Sequence, residues 1–229
     1  MQHMKRMRYI SGSIFKALPV LLALVLSGSL SAQDTLRTYG PRFGLDLARL
    51  IYLFTDPSET GAEASVDFEV YRNVYPVFEL GFNSMSDSRE LFDYSSSGAY
   101  GRGGVDYNVL SLKDRSAHHG ITLGFRYGMS RFTQKVEDIL IPEVYWGDFQ
   151  AEDYENSLTG YWIELVGGMK AEVVSNFFLG WSLRYKILLN PDMDPVMVPE
   201  MIPGYGTGGE DRVFGFTYSI YYKIPLFKK

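Results

Sequence analysis

Charged side chains recur at every second position along several stretches of this chain, opposite large apolar residues. The acids at these positions are Asp46, Glu63, Asp67, Glu69, Glu79, Asp106 and Glu164. The bases are Arg42, Arg102, Arg126, Lys170, Arg184, Lys186 and Lys223. The two signs are about balanced, and a buried charge without a partner is very costly. If these residues share one interior, we expect an ion-pair network that fills it rather than a catalytic centre.

Covalent catalysis would need a nucleophile beside a base, most often Ser and His. Beyond the N-terminal region the histidines are His118 and His119, with Ser116 nearby. Neighbouring residues in a turn need not point together, and we interpret all three as turn residues. The chain has no Cys, which excludes thiolate chemistry and disulfides. Metal-ligand spacings and Gly-rich phosphate loops are also absent, so the sequence predicts no catalytic residue, cofactor or metal.

The charged residues belong to eight segments in which apolar and polar residues alternate. The segments cover residues 41–54, 61–70, 75–84, 99–109, 119–129, 161–171, 177–187 and 213–227. The last is the most regular, and its apolar positions are Phe214, Phe216, Tyr218, Ile220, Tyr222 and Ile224. Its length matches the roughly 9–11 residues with which a tilted strand crosses a bilayer. Arg49 interrupts the apolar face of the first segment, which predicts a bulge or a position near the membrane edge.

The links between segments alternate in length. The short links are residues 71–74, 110–118 and 172–176, and the long ones are 85–98, 130–160 and 188–212. The link after the first segment, TDPSETG, is short but lies on the same side as the long ones. Short turns at one end and long loops at the other are typical of up-and-down membrane barrels. The sequence therefore predicts an all-β fold, an eight-stranded antiparallel up-and-down transmembrane β-barrel with its polar face inside. A soluble β-sandwich or lipocalin-like barrel is the alternative, but its solvent face would be Lys-rich, whereas this polar face is small and charged.

The N-terminus has the three parts of an export signal. Its basic residues are Lys5, Arg6 and Arg8. Residues 17–26 are apolar but too few for the ~20 residues of a spanning helix. We predict a signal peptide at residues 1–32, cleaved after Ala32 or Ser31, and a barrel at 33–229. The expected location is the bacterial outer membrane, with both termini periplasmic.

The composition agrees with this location. Aromatic residues make up 15% of the chain, which also has 23 Gly, as expected for interfacial girdles and a crowded barrel interior. The net charge of -5 and the isoelectric point near 5.3 argue against nucleic acid as a partner. The expected surroundings are outer-membrane lipid and lipopolysaccharide.

Several motifs carry a family resemblance. The first hairpin contains a DL pair (Asp46, Leu47), a DP turn (Asp56, Pro57) and a basic–Asn turn (Arg72, Asn73). It resembles the opening of an uncharacterised family within the small Gram-negative outer-membrane barrels typified by the OmpA transmembrane domain and OmpX. The last strand is similar to the sorting signal read by the outer-membrane assembly machinery, at Gly215, Phe216, Tyr218, Tyr222 and Phe227. The resemblance implies fold and location and carries no established activity.

Two long loops are apolar where exposure to water is expected. Their aromatic, Met and aliphatic residues are Tyr145, Trp146, Phe149, Met193, Val196, Met197, Met201 and Ile202. Such residues either pack together over the barrel mouth or bind a partner. Acids in the 130–160 link could bind calcium, but we interpret them as solvated surface charge. We predict a non-enzymatic protein that acts by binding, as an accessory or scaffold subunit of an outer-membrane protein complex or as a surface interaction protein. A lipid A-modifying enzyme and a small pore are the alternatives.

Overall fold

Eight strands close into a barrel in the computed structural model, which describes residues 38–49, 58–110, 120–141 and 149–228. The strands are β1 Arg42–Asp46, β2 Glu59–Asp67, β3 Val74–Ser88, β4 Asp93–Asn108, β5 Gly120–Glu137, β6 Tyr154–Val174, β7 Phe177–Leu188 and β8 Arg212–Lys223. Each strand pairs antiparallel with its neighbours in sequence, and β8 pairs with β1. The predicted eight-stranded up-and-down barrel is confirmed.

The outward face of the barrel carries an apolar band, best seen on β5. The outward residues Ile121, Leu123, Phe125, Tyr127 and Met129 are each 42–60% exposed. Arg131, Thr133 and Lys135 continue the same face with polar side chains. At about 3.4 Å per residue, the apolar stretch extends roughly 30 Å along the tilted strand. At a strand tilt of about 40° this length corresponds to a height of roughly 23 Å, close to the ~25 Å apolar band of transmembrane barrels.

The strands β3 to β6 continue past this band, so the predicted links 85–98 and 130–160 are wrong in extent. The 85–98 link contracts to residues 89–92 between β3 and β4, and β5 runs on to Glu137. Small and polar residues there pair as regular sheet, for example Ser84 with Ser97 and Thr133 with Ser157. Apolar alternation therefore marked only the part of each strand within the band. We call the end with the 89–92, 138–153 and 189–211 links the long-loop end.

The first strand is shorter than predicted. The predicted segment 41–54 ends as a strand at Asp46, and residues 47–49 form a helical turn. That turn directs Arg49 inward, where its Nε lies 3.4 Å from Glu63 Oε2. The rest of the segment lies outside the described residues. No helix in the described parts of the chain is long and apolar enough to span a membrane.

Two turns at the opposite, short-turn end share one design. Asn73 and Asn176 both adopt positive φ, at 66° and 67°, a conformation that Asn tolerates better than most residues. In each turn the backbone N–H of the Asn donates to the Glu four positions earlier, Glu69 at 3.1 Å and Glu172 at 2.6 Å. Alternation predicts that Glu69 enters the lumen, but in the structure its side chain caps this turn instead. The paired strands Thr38–Tyr39 and Phe227–Lys228 lie at this end.

Candidate functional site

The structure brings the predicted lumen charges together inside the barrel. Asp46, Asp67, Glu79, Arg102, Asp106, Arg126, Glu164 and Arg184 are all buried. They are supplied by seven strands, and no two adjacent residues of one strand contribute, because only every second side chain points inward. Their ion pairs lie in two layers, a central one and one nearer the short-turn end.

Arg102 is the centre of the larger layer. Its guanidinium pairs with Glu63, with Glu79 at 2.7 Å and with Glu164 at 3.3 Å. Carboxylates surround the guanidinium, which compensates a charge that would be very costly to bury alone.

Two further arginines complete this layer. Arg184 binds both Glu79 and Glu164, at 2.8 and 3.0 Å. Arg126 donates to Asp106 at 2.7 Å from the neighbouring strand. Because Arg102 and Arg184 share Glu79 and Glu164, the layer connects strands on opposite sides of the barrel.

The second layer is centred on Asp67. Arg42 Nε and Lys170 Nζ each contact one of its carboxylate oxygens at 2.6 Å. The two cations also lie over aromatic rings, Arg42 over Tyr75 at 4.7 Å and Lys170 over Tyr221 at 4.6 Å. Asp67 thus joins β1, β2 and β6 near the short-turn end.

A small cavity separates the two layers. Its volume is about 20 Å³, and its lining includes Asp106, Arg126, Lys170 and Arg184. That volume is enough for about one water molecule. The described side chains that line this cavity therefore enclose a water-sized space in the lumen.

An apolar layer lies above the central charges, toward the long-loop end. Its buried members are Tyr100, Phe132, Leu158, Trp162, Leu188, Ile202 and Tyr205. Trp162 forms the boundary, since its ring packs at 5.9 Å from Tyr205 while its Nε1 donates to Glu164 at 2.7 Å. Gly128, opposite Trp162 in the β5–β6 register, leaves the space for the indole, which any Cβ would overlap.

The 189–211 loop closes the mouth by folding back into the barrel. Met201 and Ile202 are 6% and 0% exposed, so the prediction that they contact a partner is wrong for this structure. The Met201 carbonyl accepts from Ser96 Oγ at 2.8 Å, and Asn83 Nδ2 lies 3.5 Å from the Met201 sulfur. This half of the loop supplies interior packing, which was the self-packing alternative.

Lys186 holds the same half of the loop from below. Its Nζ donates to the backbone carbonyls of Gly204 and Tyr205, both at 2.8 Å. Gly204 has a φ of 80°, which favours glycine, and a Cβ there would collide with the Tyr100 ring. The predicted lumen base Lys186 thus fixes the loop and is not seen paired with a carboxylate within the described residues.

Asp194 fixes the other half of the loop to the extended strands. Its carboxylate accepts from Gln134 at 2.6 Å, from Tyr154 at 2.8 Å and from the Val196 backbone N–H at 3.0 Å. Although burial acts to raise it, the pKa of Asp194 is lowered, because the hydrogen bonds from the Val196 N–H and the Tyr154 hydroxyl favour the carboxylate. The ionised form of Asp194 is therefore the one that holds the loop.

Between these anchors, residues 195–198 form an exposed loop tip. Val196 is 73% and Val198 is 56% exposed, and Met197 is half-buried. The chain enters the tip from Asp194 and leaves it at Glu200, whose backbone N–H donates to the buried Tyr94 hydroxyl at 3.0 Å. The tip is thus apolar, exposed and held at both ends.

The other predicted loop contacts are divided between the two environments. Phe149 is 62% exposed, in a two-residue pairing of Leu140–Ile141 with Phe149–Gln150. Met193 is half-buried and packs against the apolar layer. Tyr145 and Trp146 lie outside the described residues, as do Ser116, His118 and His119.

Acidic residues dominate the long-loop end. In the described parts of its three named links the acids are Glu90, Asp138, Glu152, Asp153, Asp192, Asp194, Glu200, Glu210 and Asp211. Arg89 is the base there, and it pairs with Glu200 at 2.6 Å. Within the described residues, no group of three or more acids and histidines is placed to hold a metal ion.

Sequence reasoning missed three important residues, two in the lumen and one in the 189–211 loop. Trp162 lies two residues before Glu164 on β6, so alternation along this strand already indicates that it points inward. Tyr100 shares the parity of Arg102 and donates its hydroxyl to Glu63 at 2.6 Å. Asp194 had no such signal, because a loop has no fixed alternation of side-chain direction.

A model of the family described as "Domain of unknown function (DUF6048)" matches residues 7–229. The match confirms the resemblance to a family without an established activity. No curated protein matches the chain. A crystal structure of Acinetobacter baumannii CarO2 is similar over 83% of this chain and 100% of that one, with 10% identity and a TM-score of 0.35, a likeness too distant to bear on function.

Proposed function

The chain belongs to the DUF6048 family, and from this premise we propose that it is a non-enzymatic outer-membrane barrel that acts by binding at its long-loop end. It would serve as an accessory or scaffold subunit of an outer-membrane protein complex, or as a surface interaction protein. The observation that carries the proposal is the combination of a filled lumen with an exposed apolar loop tip held at both ends.

The apolar band supports a membrane location. Large apolar residues face outward on several strands, for example Leu80 on β3, Phe125 on β5 and Phe216 on β8, which are 70%, 48% and 61% exposed. Exposed apolar area of this extent is rare on monomeric soluble proteins. In a bilayer the same residues would contact lipid, and the polar extensions of β3 to β6 would stand in water.

The direction of insertion follows from the loops. In up-and-down barrels of the outer membrane, short turns face the periplasm and long loops face outward. We accordingly assign the 71–73 and 175–176 turns, together with both described chain ends, to the periplasmic side. The loop tip and the acidic links would then lie at the cell surface.

Binding is the role left to a barrel with a filled lumen. Ion pairs occupy its centre, apolar side chains lie above them, and the 189–211 loop covers both. The loop tip is pre-positioned by Asp194 and Glu200, so a partner would bind it with little further loss of conformational freedom.

The test is isolation of the tagged protein from its native membrane in mild detergent, followed by native mass spectrometry. We expect a stoichiometric companion protein that is lost on Val196→Asp. Ser97→Asp, at an exposed polar position of β4 away from the tip, is the matched control and should retain it. A monomer for the wild type, or equal recovery of the companion with Val196→Asp, would contradict the proposal.

A further inference from the structure

An open groove lies beside the loop tip at the long-loop end. Its volume is about 510 Å³. The described residues that line it are Met85, Val198, Pro199, Glu200, Thr207 and Gly209. The volume is within the range of small-ligand sites, and it exceeds what one aromatic side chain requires.

The groove combines an apolar surface with one carboxylate. Met85 and Val198 supply aliphatic contacts, and Val198 makes the groove continuous with the loop tip, while Pro199 behind them is buried. Glu200 is the charged residue among those that line it, and its side chain is 28% exposed. Its existing partner, Arg89, is itself solvent-exposed, so a second cation can approach the same carboxylate.

The surroundings of the groove extend this negative charge. Glu210 and Asp211 follow the lining residue Gly209 directly and are exposed, and Asp192 is exposed on the other side of the tip. The bases nearby are Arg89 and the exposed Arg212, which follows Asp211 at the start of β8, so acids outnumber bases around the groove. A ligand with positive charge is therefore attracted to the groove, whereas phosphate-rich lipid headgroups are repelled.

We propose that this groove binds a segment of a partner protein in which an apolar side chain is flanked by lysine or arginine. The apolar side chain packs on Met85 and Val198, and the flanking cations face Glu200 and the surrounding acids. This inference rests on the proposed function and specifies the chemistry of the partner.

The test uses three capped synthetic peptides and the full-length protein in detergent. The probe GKFKG carries both required features, GEFEG reverses the charge, and GKGKG lacks the apolar side chain. We expect GKFKG to bind about tenfold more tightly than either control. GKGKG cannot bury an apolar side chain, and GEFEG cannot make favourable charge contacts with the acids. Raising the salt concentration from about 0.05 to 0.5 M should weaken its binding, because the Debye length shortens.

Two substitutions locate the binding. Val198→Asp and Glu200→Lys should each reduce the affinity for GKFKG to that of the control peptides. Phe149→Asp changes an exposed apolar loop residue that does not line the groove and should leave the affinity unchanged. Equal binding of the three peptides, or unchanged binding with both groove variants, would overturn the inference.

The outcome is separable from that of the proposed function. If a native companion is lost on Val196→Asp but the peptides bind equally, the barrel acts by binding and only the partner chemistry assigned here is wrong. If GKFKG binds selectively but the native protein has no companion, the binding specificity assigned to the groove is supported and the proposed role as a complex subunit is contradicted.

Discussion

Arg184 on β7 donates from both Nη atoms to the two carboxylate oxygens of Glu79 on β3, at 2.8 and 2.9 Å. The two strands lie opposite each other in the ring of eight, so this bidentate pair crosses the full width of the lumen. Bidentate pairing fixes both the distance and the orientation of the two side chains. The barrel is thus braced across its interior as well as around its wall.

Arg184→Met tests this brace. The substitution leaves Glu79 and Glu164 with fewer buried cations, and breaking a buried pair typically costs about 3–5 kcal/mol. Urea unfolding of the protein in lipid vesicles measures the free energy of unfolding. Arg131→Met, at an exposed outward position of β5, should cost little. Adding Glu79→Gln to Arg184→Met should recover part of the loss, and equal effects of the two Arg substitutions would show that the brace does not stabilise the barrel.

Phe125→Arg tests the membrane position of the apolar band. A lipid-facing Arg near the bilayer midplane lowers the stability of a transmembrane barrel by about 2–4 kcal/mol. Thr133→Arg lies on the same face of β5, eight residues further along and beyond the band, and should cost much less. The measurement is the free energy of folding into vesicles. Equal costs at the two positions would place both outside the hydrocarbon region.

The Asp194 anchor predicts that the loop tip becomes mobile in acid. A group with a lowered pKa in the folded protein stabilises it above its ordinary pKa, 3.8, and this contribution is lost as the pH falls through the lowered value. A spin label on Val196→Cys reports the mobility of the tip, and the chain has no other Cys. We expect an immobile label at and above pH 3.8 and a mobile one once the pH has fallen through the lowered pKa of Asp194.

The control for this pH effect is Asp194→Asn, which removes the carboxylate. The transition should then be lost, because the carboxylate that accepts the hydrogen bonds on this side of the tip has been removed. A transition that persists unchanged in Asp194→Asn would assign the effect to another acid.

The filled lumen predicts that the protein does not conduct ions. Planar-bilayer recordings should show no stable channel for the wild type. Ile202→Gly removes a side chain from the apolar layer but leaves the central ion pairs, so it should not conduct either. Stable conductance by the wild type would support the small pore instead.

The prediction that the protein has no catalytic residue can be tested on lipid A. Deleting the gene should leave the acyl chains of lipid A unchanged by mass spectrometry. Altered chains, restored by the wild-type protein but not by one carrying both His118→Ala and His119→Ala, would support the lipid A-modifying enzyme.

Alternation predicted the wall of the barrel well. It gave the correct number of strands and their inward and outward faces, because side chains of a strand point to opposite faces whatever they contact. It underestimated β3 to β6, since residues such as Ser84 and Thr133 pair as strand without being apolar. Arg49 was placed on the wrong face, because the strand ends at Asp46 and a helical turn changes its direction.

The sequence by itself determined that similar numbers of acidic and basic side chains would face one lumen. The reason is that successive side chains of a strand point alternately inward and outward. Only the tertiary structure decided the pairs, such as Arg184 with Glu79, since these depend on which strands stand opposite each other in the closed ring. It also decided that Ile202 is buried while Val196 is exposed, although both lie in one apolar loop. The physical reason is that the space above Trp162 is formed by side chains from several distant strands, and one part of the loop fits it.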